Sequence, residues 1–267
     1  LGAGLIATRP GPAAAGRDLR GAFGLAWRLQ RGTLLAWSIG LFFAGLVVGS
    51  IAQNAEELVD GSQDLANLLT QVGGGSVVDA FLANALVMMA LIATGYTISS
   101  GLRLRAEETS GRVEPLLATP VGRLRWAAGH LVMAGAGSAV VLAALGFGAG
   151  LAYAVASHDA GQVPRLIGAA LVQLPAVWVL GAIVVAAFGL VPRAVALGWA
   201  ALGACALLWL VGPLLDAPGW LLDLSPYEHV PAVPAATLAA GPLLALTAGA
   251  IALTAAGLAG FRRRDVA

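Results

Sequence analysis

The sequence predicts an all-α, polytopic membrane protein, with six transmembrane helices preceded by an amphipathic helix at the interface. Three observations predict it. Of 267 residues, 59% are hydrophobic and only 11% charged, with a mean hydropathy of +0.85. An ordinary soluble domain is about 25% charged, and a soluble fold of this size could not hide so much apolar surface beneath so few charges. The apolar residues fall in runs long enough to cross a hydrocarbon core about 30 Å thick. The basic residues collect on one side of those runs. Disorder is excluded, because disordered chains are poor in apolar residues.

Composition also removes several chemistries. All 15 basic residues are Arg. Without Lys there is no P-loop to reach nucleotide phosphates and no Schiff-base lysine. The single Cys, Cys205, allows neither an internal disulfide nor a Cys-based zinc cluster. The chain begins at Leu1 with nothing resembling a signal peptide, and a piece of something longer is expected.

The elements follow in order. Residues 1–17 contain RPGPAAAG and read as a linker. Residues 18–32 carry Leu19, Phe23, Ala26, Trp27 and Gln30 at spacings of three and four, flanked by Arg. That pattern fits an amphipathic helix in the interface; the alternative is an ordinary basic flank. A six-helix domain is expected over 33–259, with spans at 33–52, 80–100, 127–156, 164–190, 194–213 and 236–259. Pro164 suits the first turn of the fourth span, and Pro175 should kink it. Residues 260–267 form a tail.

Orientation follows from the arginines, which gather on cytoplasmic flanks. Every Arg except Arg165 lies on the side of the two termini. The opposite loops carry Glu56, Glu57, Asp60, Asp64, Asp79, Asp159, Asp216, Asp223 and Glu228. A multi-pass plasma-membrane protein with both termini in the cytoplasm is expected. The acidic loop 53–79 has Leu58, Leu65, Leu68 and Leu69 near helical spacing, which predicts a short external helix before the Gly73–Gly75 break.

Few residues offer chemistry. The central turns of the spans hold no Asp, Glu or Arg. That argues against an ion-coupled carrier, which places a carboxylate or a broken helix near the midplane. Ser38, Ser50 and Ser138 have no His or Asp near them in sequence, and His130, His158 and His229 share no ligand spacing. His130 reads as an interface residue. Gly45–Gly49 and Gly146–Gly150 have the spacing that permits close helix approach.

The most patterned segment is 101–126, GLRLRAEETSGRVEPLLATPVGRLRW. Glu107, Glu108 and Glu114 alternate with Arg103, Arg105, Arg112, Arg123 and Arg125 around one apolar element, Pro115–Ala118. Pro115 suits a helix first turn, and Glu114 before it favours the positive helix end. Pro120 then stops it. A short helix presenting Leu116 and Leu117 to a partner protein is expected; a solvated charged loop is the alternative.

At these residues the sequence resembles the ABC type-2 permeases, whose loop between the second and third spans carries an acidic pair, Gly, Glu, Leu-Leu, Pro and Arg. Here these are Glu107, Glu108, Gly111, Glu114, Leu116, Leu117, Pro120 and Arg123. More narrowly, EPLLATPVGRLRW and the closing GFRRRD are similar to actinobacterial exporters of polyketide antibiotics, the tetronasin-type resistance permeases. The resemblance covers nearly the whole chain and implies the ABC type-2 exporter fold. It implies that 101–126 is a coupling loop docking into a separate ATP-binding subunit, with Glu107, Glu108 and Arg112 as polar contacts and Leu116 and Leu117 as buried anchors. ATP would be hydrolysed on that subunit, this chain binding no cofactor and not being an enzyme. In related exporters the connection before the last span forms re-entrant helices, which 213–234 could do, with Trp220 and Tyr227 at the interface.

Two departures matter. The narrower group carries two six-span halves in one chain, so this chain matches the second half or pairs with itself as a homodimer. The broader family often lacks the proline at Pro115, which bears on how the coupling helix starts. The expected role is export of an amphipathic or hydrophobic compound, with an antibiotic as one candidate, by a permease in contact with lipid and with no nucleic acid. The competing readings are a secondary carrier and a lipid-modifying membrane enzyme using Glu228 and His229.

Overall fold

The apolar runs fold as helices because lipid offers the backbone no hydrogen-bond partners, so each span must satisfy its own amides. The computed structural model describes residues 22–60, 76–109 and 122–263. Among them, six helical stretches are long and apolar enough to cross a membrane: Ala26–Ala52, Val77–Thr109, Leu124–Ser157, Gln162–Leu190, Pro192–Val211 and Ala240–Arg263. Their number is the six expected.

Helix α1 (Ala22–Asp60) runs residues 22–32 and the first span together in one helix of 39 residues. At about 1.5 Å per residue it is roughly 58 Å long, far more than the hydrocarbon core requires. The expected external helix begins as its last turns, and 61–75 lie outside the described residues. Helix α2 (Val77–Thr109) runs two turns beyond the expected span end. Ser100, Gly101, Leu104 and Glu107 continue its buried face, so packing carries the helix onward. Helix α3 covers Arg123–Ser157, and His158 ends it in a left-handed conformation with φ 54°.

The fourth span is two helices, α4 (Gln162–Leu171) and α5 (Leu174–Leu190). Pro175 has no N–H to give the Leu171 carbonyl, and the helix breaks at Val172–Gln173. The break is local: Val172 and Gln173 keep right-handed backbone angles and the Val172 N–H still reaches the Gly168 carbonyl at 3.0 Å, so the span carries the expected kink. A 3₁₀ turn at Pro192–Ala194 leads into α6 (Leu197–Val211). After a second 3₁₀ turn and the single-turn α7 (Gly219–Leu222), the last span is α8 (Ala240–Arg263).

Small residues set the packing. A methyl group at Gly45 or Gly49 of α1 would collide with the Leu145 or Ala149 carbonyl of α3, and one at Gly148 with the Phe42 carbonyl. Gly146 and Gly150, on another face of α3, lie as close to α4 at Leu166–Ile167 and Val163. Both expected glycine pairs are thus contact surfaces, each against a different helix. At the other side, α5 and α8 meet through Gly189 and Gly257, where backbone touches backbone. Such approach maximises dispersion contacts where no hydrophobic force drives helices together.

Helix α2 is central, meeting α1, α3, α5 and α6. At the acidic end Arg165 of α4 pairs with Asp79 in the first turn of α2 at 2.7 Å, which gives the one Arg set apart from the others a carboxylate partner. Outer faces are apolar: Leu35, Ile39, Phe43 and Val47 form an exposed stripe on α1. Only 11% of the apolar stretch of the fifth and of the sixth span is buried, so both present broad bare faces.

The connection from α6 to α8 does not lie flat. Tyr227 is buried, with its hydroxyl hydrogen-bonded to Thr94 Oγ1 and to the Ala90 carbonyl of α2 at 3.3 Å. The interface position expected for Tyr227 is corrected: a phenol can enter the bundle once its O–H has a partner. Trp220 is exposed at 69%.

Candidate functional site

Polar side chains converge at the arginine-rich end of α1, α2 and α3. On α2, Ser100, Arg103 and Glu107 follow at three and four residues and share one face. Ser100 donates its hydroxyl hydrogen to Gln30 Oε1 of α1. The Gln30 amide Nε2 in turn donates to His130 Nδ1 of α3 at 2.9 Å. With Nδ1 accepting, the ring proton sits on Nε2, 3.4 Å from Glu107 Oε2. Arg103 reaches α1 at the Leu29 carbonyl (3.2 Å) and Thr33 Oγ1 (2.9 Å). Three helices are thus joined by side chains in a place where Gln30, Ser100, Glu107 and His130 are all buried.

An aromatic floor continues this cluster sideways. Trp126 lies edge-on to His130 with ring centroids 5.4 Å apart. It contacts Phe261 of α8 at 6.2 Å, and Phe261 contacts Phe188 of α5 at 5.2 Å. With Leu104 these residues form a separate buried apolar group. His130 is buried inside the bundle, with partners for both ring nitrogens and a ring contact to Trp126.

Above the floor opens a crevice of about 420 Å³ between α2, α3, α5 and α8. Thr97, Gly135, Trp178, Gly181, Thr247 and Thr254 line it with aliphatic neighbours, and no charged residue does. The Trp178 N–H is committed to the Gly135 carbonyl (3.3 Å) and Ser138 Oγ (3.1 Å). The Thr247 hydroxyl donates to the Leu243 carbonyl at 2.7 Å.

The expected coupling residues divide. Glu107 turns inward to His130, whereas Glu108 pairs with Arg105 one turn back at 2.9 Å. Arg123 opens α3. Gly111, Arg112, Glu114, Pro115, Leu116, Leu117 and Pro120 lie outside the described residues. Gln30, Ser100 and Arg103 were not singled out from sequence for this site; the signal that could have found them is the shared face of Ser100, Arg103 and Glu107. Glu228 and His229 form no acid–base pair here, since His229 Nε2 meets the Asp223 carbonyl at 2.9 Å. Among the described residues no group of three or more His, Cys, Asp or Glu could hold a metal ion.

Comparison with known proteins places this architecture. A family model described as the multidrug efflux system permease Rv1217c, C-terminal domain, matches residues 19–262. The multidrug efflux system permease protein Rv1217c of Mycobacterium tuberculosis (strain ATCC 25618 / H37Rv) is 46% identical over 268 residues, covering 100% of this chain and 49% of that protein. The chain spans about half the length of the curated relative it matches. Six apolar helices, and a match that takes in all of them, make the chain a member of the family of the Rv1217c multidrug efflux permease C-terminal domain.

Proposed function

We propose that the chain is the membrane half of an ATP-driven ABC exporter that moves amphipathic or hydrophobic compounds, antibiotics among them, out across the plasma membrane. The observation that carries this reading is the 46% identity to a multidrug efflux permease along the whole chain. Both termini and the arginine-rich end face the cytoplasm on this reading, following the positive-inside rule. The loop through 110–121 then docks on a separate ATP-binding subunit through Arg112, Glu114, Leu116 and Leu117. The bare face of α6 supports pairing with a second six-helix half, fused or a second copy.

The cluster gives the loop a route into the membrane. Glu107 and Trp126 sit on the two helices that border the loop, and their partners reach α1 through Gln30 and α8 through Phe261. A push on the loop therefore moves four helices together. The chain's own part is this transmission and a path for cargo; nucleotide chemistry belongs to the partner.

Drug efflux from cells expressing the full-length protein and its ATP-binding subunit tests the reading. Efflux should stop when the subunit's ATP hydrolysis is disabled and persist when the proton gradient is collapsed. The reverse pattern would establish a secondary carrier.

A further inference from the structure

We propose that the crevice between α2, α3, α5 and α8 binds an uncharged, lipid-soluble molecule that carries a hydroxyl or other hydrogen-bond donor and enters from the bilayer. The volume of about 420 Å³ lies within the range of small-molecule sites. No charged side chain lines it, so an ionic ligand would lose its hydration without gaining a counter-charge.

The hydroxyls define the ligand more closely. Thr247 spends its proton on the Leu243 carbonyl, so its oxygen can only accept. The Trp178 N–H is likewise committed, leaving its ring as an apolar wall. At Thr247 a ligand is therefore recognised by what it donates. Entry from lipid follows from the lip, where Ile251 is 64% exposed on the outer surface of α8.

The position gives such a ligand a consequence. Leu131 and Leu258 line the crevice and also pack on the aromatic floor of Trp126, Phe188 and Phe261. An occupant thus presses, through Leu131 and Leu258, on a floor whose Trp126 contacts His130. This purpose rests on the export reading, whereas binding itself does not.

Photolabelling tests the site. Membranes containing the full-length protein, without nucleotide, are irradiated with 3-azioctanol, a neutral alcohol bearing a diazirine, and adducts are mapped by mass spectrometry. Adducts should concentrate on Trp178, Thr247 and Ile251 and fall when excess octanol competes. Thr247→Val keeps the shape and should weaken labelling about fivefold, the loss of one hydrogen bond, while leaving labelling by the corresponding azi-octane unchanged. Gly135→Leu should abolish labelling by both, because a Cβ there meets nothing nearer than Trp178 Nε1 at 4.0 Å and the side chain fills the crevice. The anionic azi-octanoate should not label.

Adducts spread evenly over the Leu35, Ile39 and Phe43 stripe would mean simple partition into lipid and would overturn the proposal. Labelling unaffected by either substitution would do the same. Because no ATPase enters this assay, its failure leaves the export reading standing, and loss of ATP-driven efflux leaves the labelling result standing.

Discussion

His130 on α3 directs Nε2 at Glu107 of α2 across 3.4 Å, and both side chains are buried at the arginine-rich end of the bundle. The other ring nitrogen is held by Gln30 of α1. His130→Ala removes one partner from each of two buried polar groups, which costs about 1–3 kcal/mol for a group left unsatisfied. Thermal unfolding in detergent should show a clear drop in Tm. Glu107→Gln keeps an acceptor facing the ring and should cost less than half as much.

Backbone contact between α5 and α8 makes Gly257 intolerant of any side chain. A Cβ there would lie 2.5 Å from the Val185 carbonyl oxygen, while one at Gly249 of the same helix meets nothing within 4 Å. Gly257→Val should destabilise by about 1–3 kcal/mol through overpacking. Gly249→Ala should be neutral or slightly stabilising, because Ala is the better helix former. Comparing the two by Tm separates contact from helix propensity.

Gln173 sits at the break in the fourth span, fully buried, with neither end of its amide hydrogen-bonded. An amide in that condition costs about 1–3 kcal/mol relative to an apolar group of similar shape. Gln173→Met should therefore raise Tm. Lowered efflux in the same variant, at unchanged expression, would mark Gln173 as a group that finds its partner during transport.

Tyr227 anchors the connection before the last span to α2 through Thr94 and Ala90. Tyr227→Phe keeps the ring and loses the hydroxyl, a change of about 0.5–1.5 kcal/mol. Limited proteolysis should then cut 213–239 faster than in the parent, with the six spans intact.

The spans were legible because lipid demands long apolar runs, and Pro175 announced the break in the fourth. The arginine pattern likewise isolated Arg165, whose carboxylate partner Asp79 the structure supplies. Less was legible at the site. Gln30 and His130 lie a hundred residues apart, and nothing local marks either as the other's partner. Tyr227 reads as an interface residue by type, and only the fold reveals that Thr94 stands ready to accept it. The inward turn of Glu107 was hidden for a different reason: its neighbour Glu108 has the same chemistry, and a helical step of about 100° sends the two in different directions.

The proposed drive of export through the loop after α2 is tested most directly by co-purification. Full-length protein carrying Leu116→Asp and Leu117→Asp is solubilised in mild detergent and captured alongside the parent. Loss of the ATP-binding subunit from the variant, with the Gly249→Ala control retaining it, is the predicted result. Undiminished binding of that subunit to the double variant would contradict the account.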